Sequence, residues 1–181
     1  MTLQAGATVL DVGAGTGMLG GLLPSGVRYV WFDNDTLKLR GLLSKQIDCY
    51  AVVGEGSRLP FRDGCADWTA MVDVSHHLRD DALDSCLREI ARVTRKRFLF
   101  VDALRGERLR SKLLWQLDLG RFPRPHHELI AALDIHFELE KVDHFRVNHD
   151  HVLCLCVPRG TPAARDIAED DVVGPAAPPQ P

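Results

Sequence analysis

A short run of glycines directly after an apolar segment is the part of this sequence best suited to bind a small molecule. Residues Thr8 to Val12 (TVLDV) are apolar and predict a buried strand, and Gly13-Ala14-Gly15-Thr16-Gly17 follows at once. At such a junction backbone N–H groups can approach a ligand, because glycine has no Cβ atom in the way. The loop alone leaves the ligand open, since residues Gly15 to Gly20 also fit the dinucleotide pattern G-x-G-x-x-G.

Three acidic residues near the ends of successive predicted strands argue against a dinucleotide. Asp11 lies inside the first strand, where a carboxylate is costly unless a cationic ligand group or loop N–H groups meet it. Asp33 ends the second strand and can accept hydrogen bonds from both hydroxyls of a ribose. Glu55 follows the third strand and can accept one from an exocyclic adenine amine. One acidic ribose partner is common to several cofactors, whereas this set of three is not.

Four motifs in the same order give the sequence a family resemblance over residues 8–157. It resembles the class I S-adenosylmethionine-dependent methyltransferases, and among them the ubiquinone/menaquinone-biosynthesis type. The motifs are Val9–Gly17 (VLDVGAGTG), Phe32–Asp35 (FDND), Gly54–Gly64 (GEGSRLPFRDG) and Asp67–Leu78 (DWTAMVDVSHHL).

The resemblance implies S-adenosyl-L-methionine as cofactor and a role for each matched position. The glycine loop would face the methionine part, Asp11 would help to hold its amino end, and Asp33 would bind the ribose. Glu55 and the N–H of Gly56 would contact adenine. The expected cofactor-binding residues are Asp11, Gly13, Ala14, Gly15, Gly17, Asp33, Asn34, Glu55, Gly56 and Asp73, the last placed close to the methionine moiety.

Two departures from the family pattern affect these expectations. The family usually has Asp where Glu55 stands, so the adenine contact must accommodate one more methylene group. Most members also carry N-terminal helices that cover the substrate, whereas seven residues precede Thr8 here. We therefore expect the site to be open, or to be covered by a partner or by a second copy of the chain, or else the start of the chain to be truncated.

The expected reaction is in-line transfer of a methyl group to a small-molecule acceptor, whose nucleophile could be O, N or C. His76 and His77 follow the fourth predicted strand, at the edge where ligands bind in this architecture, and could take a proton from the acceptor. Either histidine could instead pack or cap the next helix. Two other functions stay open: a methyltransferase-like partner subunit that is inactive or only binds the cofactor, and an NAD(P)-dependent oxidoreductase.

Strands that alternate with helices predict an α/β, Rossmann-like, doubly wound sheet of seven strands, mainly parallel with an antiparallel last strand. We expect one methyltransferase domain over residues 1–159 and a disordered Pro/Ala-rich tail over residues 160–181. The predicted strands are 8–12, 28–33, 50–53, 68–74, 97–103, 137–147 and 151–157. The predicted helices are a short one after the glycine loop, then 36–45, 80–95, 106–119 and 125–133.

Composition narrows the class of protein further. The net charge of −3 makes nucleic acid an improbable partner, and the basic stretch from Arg88 to Arg124 is interpreted as a solvated helix face. No apolar run is long enough to cross a membrane. Five cysteines without a CxxC pair favour a reduced, cytoplasmic setting. Cys154 and Cys156 are interpreted as buried thiols, and no metal is expected.

Overall fold

The computed structural model describes residues 3–45, 47–105, 121–147 and 149–160. Seven strands form one sheet in the order β3-β2-β1-β4-β5-β7-β6. They are β1 (Thr8–Val12), β2 (Arg28–Asp33), β3 (Tyr50–Val53), β4 (Ala66–Val72), β5 (Thr94–Ala103), β6 (Phe137–Arg146) and β7 (Asp150–Pro158).

The direction of the strands confirms the predicted fold class. Strands β1 to β5 are paired in parallel, whereas β7 is antiparallel to both of its neighbours, β5 and β6. The carboxyl ends of the parallel strands therefore lie at one edge of the sheet, together with the first residues of β7. Ligands bind at this edge in doubly wound folds, so the expected site residues should lie there.

Three helices are described: α1 (Thr36–Leu43), α2 (Asp80–Val93) and α3 (His126–His136). The residues Leu83, Leu87 and Ile90 recur on one face of α2 and are buried in the main core. The predicted helix after the glycine loop is only a single 3-10 turn at Leu19–Leu22. Two glycines inside that turn and Pro24 just after it explain its shortness, since both residue types disfavour helix.

Several predicted bounds were wrong by a few residues. Strand β4 ends at Val72 and not at residue 74, because Asp73 adopts a left-handed backbone conformation (φ 55°) that cannot continue a strand. Helix α2 ends at Val93 and β5 begins at Thr94, both earlier than predicted, so no loop separates them. Pro125 precedes α3 and does not form its first residue. The predicted helix over 106–119 and the tail from 161 onward lie outside the described residues.

The core contains the two cysteines of β7, as predicted. Cys154 and Cys156 are fully buried, and burial raises the pKa of Cys154 to about 11. At the start of α3, His127 is exposed, whereas His126 is partly buried with its ring 4.8 Å from that of His144. Among the described helices none is long and apolar enough to span a bilayer.

Candidate cofactor-binding and catalytic site

A cavity of about 300 Å³ lies at the carboxyl edge of the sheet, between the glycine loop and the end of β4. It brings together Asp11, Gly13, Ala14, Gly15 and Asp73, which the sequence separates by up to 62 positions. Its remaining lining residues are Thr16, Met18, Leu19, Leu22, Lys38 and Val72.

The glycine loop is held against β2 and leaves room in front of it. The N–H groups of Gly13 and Ala14 both donate to the carbonyl of Phe32, at 2.8 and 3.1 Å. Gly13 has a φ of +75°, and a Cβ atom there would lie 2.4 Å from Val74. Gly15 also has a positive φ (+55°), but a Cβ atom there would meet nothing within 4 Å. The loop is thus packed on its protein side at Gly13 and open toward the cavity at Gly15.

Trp31 on β2 and Gly17 in the loop itself also hold the loop in position. The indole Nε1 of Trp31 donates to the carbonyl of Gly15 at 2.8 Å, which fixes the peptide from the sheet side. Gly17 is buried and does not line the cavity, and a Cβ atom there would lie 2.4 Å from the side chain of Leu42. Gly17 therefore serves close packing of the loop on α1 in this structure.

Asp33 supports the loop with a buried carboxylate. Its Oδ2 accepts a 2.8 Å hydrogen bond from the N–H of Gly15, and its Oδ1 accepts one of 2.9 Å from the N–H of Asp35. The Nζ atom of Lys38 lies 3.9 Å from Oδ2. A carboxylate offers about four acceptor positions, so two backbone bonds leave capacity for the hydroxyls of a ribose.

Asp11 has a protein partner that the sequence did not predict. Its Oδ2 accepts a 2.7 Å hydrogen bond from the hydroxyl of Tyr29. Burial raises the pKa of Asp11 to about 6, the bond from Tyr29 opposes this shift, and the charge of Asp33 adds to it. A cationic amine entering the cavity would stabilise the ionised carboxylate, so this residue fits a ligand with a positive charge.

The residues expected at adenine lie next to Asp33, outside the cavity. The side-chain amide of Asn34 donates to Oε1 of the exposed Glu55 at 3.3 Å. The N–H of Gly54 donates to the carbonyl of Asp33 at 3.1 Å. A Cβ atom on Gly56 would lie 2.8 Å from Sγ of Cys86, so the chain passes close to α2 at this point. The longer Glu55 therefore reaches across to the end of β2.

Asp73 lies on the other side of the loop and is half exposed. Its N–H donates to the carbonyl of Val101 at 2.9 Å, which holds the strained backbone in place. Its Oδ1 lies 3.7 Å from Nε2 of His151, at the start of β7. The sequence predicts an antiparallel last strand, which starts at this edge, but no local pattern predicts that His151 lies beside Asp73.

The structure separates the roles of His76 and His77. His76 is buried, and its Nδ1 lies 2.5 Å from Oδ1 of Asp102. Asp102 also accepts hydrogen bonds from the N–H groups of Ser75 (2.6 Å) and Ala103 (2.7 Å). His77 is exposed, with its ring centre 4.2 Å from that of His76. His76 therefore anchors the turn after β4, and His77 is the more accessible of the two.

Arg124 clamps the same turn and was missed in the sequence. Its buried guanidinium donates to the carbonyls of Ser75 (2.8 Å) and Leu78 (2.7 Å) and to Oδ1 of Asp80 (2.6 Å). It lies 46 residues beyond Leu78, so no local pattern connects them. With Asp102 on the other side, Arg124 fixes the backbone that carries both histidines.

Comparison with known proteins identifies the family. Residues 10–101 match the family described as "Methyltransferase domain", which covers about half of the chain. No curated protein matched the sequence.

Solved structures with the same fold are numerous. One is a SAM-dependent methyltransferase from Methanosarcina mazei, with 16% identity, a TM-score of 0.72, and 86% of this chain and 94% of that chain covered. A second is the complex between the Haloferax volcanii Trm112 methyltransferase activator and a methyltransferase, with 20% identity, a TM-score of 0.73, and coverage of 87% and 84%. A third is a TehB-like SAM-dependent methyltransferase from Corynebacterium glutamicum, with 18% identity, a TM-score of 0.67, and coverage of 87% and 83%. The family match shows that this chain belongs to the methyltransferase domain family, as a class I methyltransferase that uses S-adenosylmethionine.

Proposed function

We propose that this chain transfers the methyl group of S-adenosylmethionine to a small-molecule acceptor by in-line displacement. The observation that carries the proposal is the single cavity that unites Asp11, the open face of Gly15 and Asp73. The carboxylates of Asp11 and Asp73 and the ammonium of Lys38 line it, and the proposed cofactor carries an ammonium, a sulfonium and a carboxylate group. With these groups ionised, the lining has one negative charge in excess and the cofactor one positive charge, so the two are complementary.

Each part of the cofactor would contact a different set of site residues. Asp11 and the loop Gly13–Gly15 would hold the methionine part, and Asp73 would lie close to it. Asp33 would accept from the ribose hydroxyls with the positions that its two backbone bonds leave over. Glu55, Asn34 and the N–H of Gly56 would contact adenine. In this arrangement Gly17 supports the loop from behind and does not touch the ligand.

The protein contributes mainly alignment. When bound, the cofactor supplies a methyl group on a positively charged sulfur, which is already a good leaving group. Holding the acceptor in line with that methyl group and excluding water can lower the barrier by about 7–11 kcal/mol. The exposed side chains of Met18 (73%) and Leu22 (78%) border the cavity and offer an apolar approach to an acceptor.

Calorimetry tests the proposal against the oxidoreductase alternative. We expect S-adenosylhomocysteine to bind the full chain and NAD to show no binding. Asp73→Asn should weaken the binding of S-adenosylhomocysteine, whereas Asp143→Asn, an exposed carboxylate on β6, should not. Binding of NAD in place of S-adenosylhomocysteine would reject the proposal. Cofactor binding without any turnover across a broad acceptor panel would favour an inactive partner subunit.

We also propose that a protein partner or a second copy covers the mouth of the cavity. The exposed side chains of Met18 and Leu22 support this, because apolar groups that border a binding cavity gain free energy when covered. One similar structure is a complex between an activator and a methyltransferase. Light scattering of the purified chain tests the second copy: a strictly monomeric chain that turns over at full rate would reject both versions.

A further inference from the structure

A third histidine lies closer to the cavity than the sequence motifs suggested. Strand β7 runs antiparallel to β5, so its first residues lie at the edge where the parallel strands end, and His151 is paired with Ala103. Its Nε2 lies 3.7 Å from Oδ1 of Asp73, which lines the cavity.

The hydrogen bond at the other ring nitrogen sets the tautomer of His151. Its Nδ1 lies 2.9 Å from the carbonyl oxygen of His149. A carbonyl can only accept, so Nδ1 must carry the proton. In the neutral ring Nε2 is then an unprotonated acceptor, and it faces Asp73 at the cavity.

The ring is also fixed in orientation. Phe145, its paired residue on β6, stacks on it with ring centres 5.0 Å apart and an interplanar angle of 14°. Only 11% of the side chain is exposed. The N–H of Leu104 donates to the carbonyl of Asp150 at 2.7 Å, which ties the first residue of β7 to the end of β5. A ring held on three sides needs little reorganisation before it can accept a proton.

We propose that His151 is the proton acceptor for the methyl acceptor, with Asp73 stabilising the imidazolium that forms. This inference rests on the proposed methyl transfer. A lone pair of the acceptor heteroatom forms a bond to the methyl carbon, and the carbon–sulfur bond breaks with its electron pair remaining on sulfur. S-adenosylhomocysteine results, and the proton of the acceptor moves to Nε2 of His151. The negative charge of Asp73 offsets the positive charge of the ring.

The two histidines of the motif are less well arranged for this step. The Nδ1 of His76 is occupied by Asp102, and its ring is buried in the anchor of the turn. His77 is exposed on the 3-10 turn at Ser75–His77. The groups that face His151 are Asp73, the carbonyl of His149 and the ring of Phe145, with the ion pair of Arg146 and Asp150 beside it.

The first test needs no acceptor. Nitrogen-15 NMR of the histidine side chains in the full chain, with the His151 signal assigned by its loss in His151→Gln, reports which nitrogen carries the proton. We expect the neutral ring of His151 to be protonated on Nδ1. A neutral ring protonated on Nε2 would overturn the proposal whatever the acceptor is, because that nitrogen could not take a proton.

The second test compares acceptors that must lose a proton with acceptors that are already ionised. S-adenosylhomocysteine release is followed with phenols, aliphatic alcohols and thiophenol as probes, in the wild type, His151→Gln and His77→Ala. We expect His151→Gln to lower the turnover of phenols and alcohols about 10²- to 10⁴-fold and that of thiophenol, a thiolate at neutral pH, far less. His144→Ala on the opposite face of β6 is the matched control and should retain turnover.

Binding separates failure of this inference from failure of the proposed function. We expect S-adenosylhomocysteine to bind His151→Gln with an affinity within about twofold of wild type, because His151 does not itself line the cavity proposed to hold the cofactor. Loss of phenol turnover in His77→Ala with full turnover in His151→Gln would overturn the inference alone. A wild-type chain that does not bind S-adenosylhomocysteine would overturn the proposed function itself.

Discussion

Asp11 on β1 accepts a 2.7 Å hydrogen bond from the hydroxyl of Tyr29 on the neighbouring strand β2, and both side chains are buried. The donor is neutral, so the carboxylate keeps a raised pKa of about 6. Folding the ionised form therefore costs free energy that a neutral side chain would not. The sheet holds a poorly compensated acidic group at the place where a cationic ligand would bind.

The first prediction concerns the pH dependence of stability without cofactor. The folded state binds the Asp11 proton more tightly than the unfolded chain, whose pKa is near 3.8. The protonated Asp11 therefore makes its full contribution to the free energy of unfolding below about pH 4, and this contribution is lost as the pH rises through about 6. Asp11→Asn should raise the free energy of unfolding at about pH 7.5 by on the order of 2–3 kcal/mol, with little change near pH 4. Urea unfolding at both pH values measures this.

Two further measurements make this prediction specific to the Asp11–Tyr29 pair. Tyr29→Phe removes the donor and should lower stability at neutral pH, opposite to Asp11→Asn. Asp11→Asn should also lose affinity for S-adenosylmethionine by about tenfold or more, since a charge-assisted contact is lost. A variant that becomes neither more stable nor weaker in binding would show that Asp11 is unimportant for the cavity.

The second prediction concerns Asp33. Asp33→Ala should weaken S-adenosylhomocysteine binding by about 1.5–3 kcal/mol, roughly 10- to 150-fold, because charge-assisted hydrogen bonds to the ribose are lost. The fold should survive, which circular dichroism checks. Asp48→Ala, an exposed carboxylate before β3, is the control with unchanged affinity. Equal affinities for the two variants by calorimetry would refute the assignment of Asp33.

The third prediction contrasts two glycines of the same loop. Gly13→Ala should destabilise the fold severely, because its Cβ would overlap Val74 at a positive φ. Gly15→Ala meets open space, so we expect a stability cost of only about 1 kcal/mol from its left-handed backbone. Its methyl group would fill the space that the cofactor needs. Thermal melts and S-adenosylhomocysteine titrations separate the two effects; unaltered binding in Gly15→Ala would place the cofactor elsewhere.

The fourth prediction concerns the clamp of Arg124 on the turn after β4. Arg124→Leu removes the guanidinium that donates to the carbonyls of Ser75 and Leu78, of which Ser75 keeps only the N–H of Leu78, and should lower stability by about 2–4 kcal/mol. Arg124→Lys should recover only part of this loss, because an ammonium cannot span the three acceptors as a planar guanidinium does. Hydrogen exchange of residues 75–78 should speed up in both variants. Unchanged exchange there would show that Asp102 alone holds the turn.

The fifth prediction concerns the domain boundary. We propose that the methyltransferase domain ends near residue 159 and that a chain ending at Gly160 melts within a few degrees of the full length. Residues 161–181 are rich in Pro and Ala and offer little apolar side-chain surface to bury. The same shortened chain should bind S-adenosylhomocysteine as before. A large drop in its melting temperature would show that the C-terminal residues pack on the domain.

The sequence predicted the elements whose signals are local. Strands β1, β2 and β3 have the predicted bounds, since each is a short apolar run closed by a turn signal or a charged residue. Helix α2 was recognised from the spacing of its apolar residues. The glycine loop and its strand were recognised because a tight turn at positive φ requires glycine, whatever surrounds it.

The carboxyl-edge placement of Asp11, Asp33 and Asp73 could also be predicted, because parallel strands must end on the same side. The particular atoms that contact one another at this edge could not be predicted from the sequence. Asp11 contacts Tyr29 through the register of β1 on β2, and Arg124 reaches the turn of His76 across more than 40 residues. The predicted antiparallel direction brings the start of β7 to this edge, but only its pairing with β5 places His151 beside Asp73. The spacing of apolar residues and the residue types of turns depend on neighbours in the chain, so they can be recognised in the sequence. Strand register and long-range side-chain contacts depend on how the whole sheet packs, which only the tertiary structure decides.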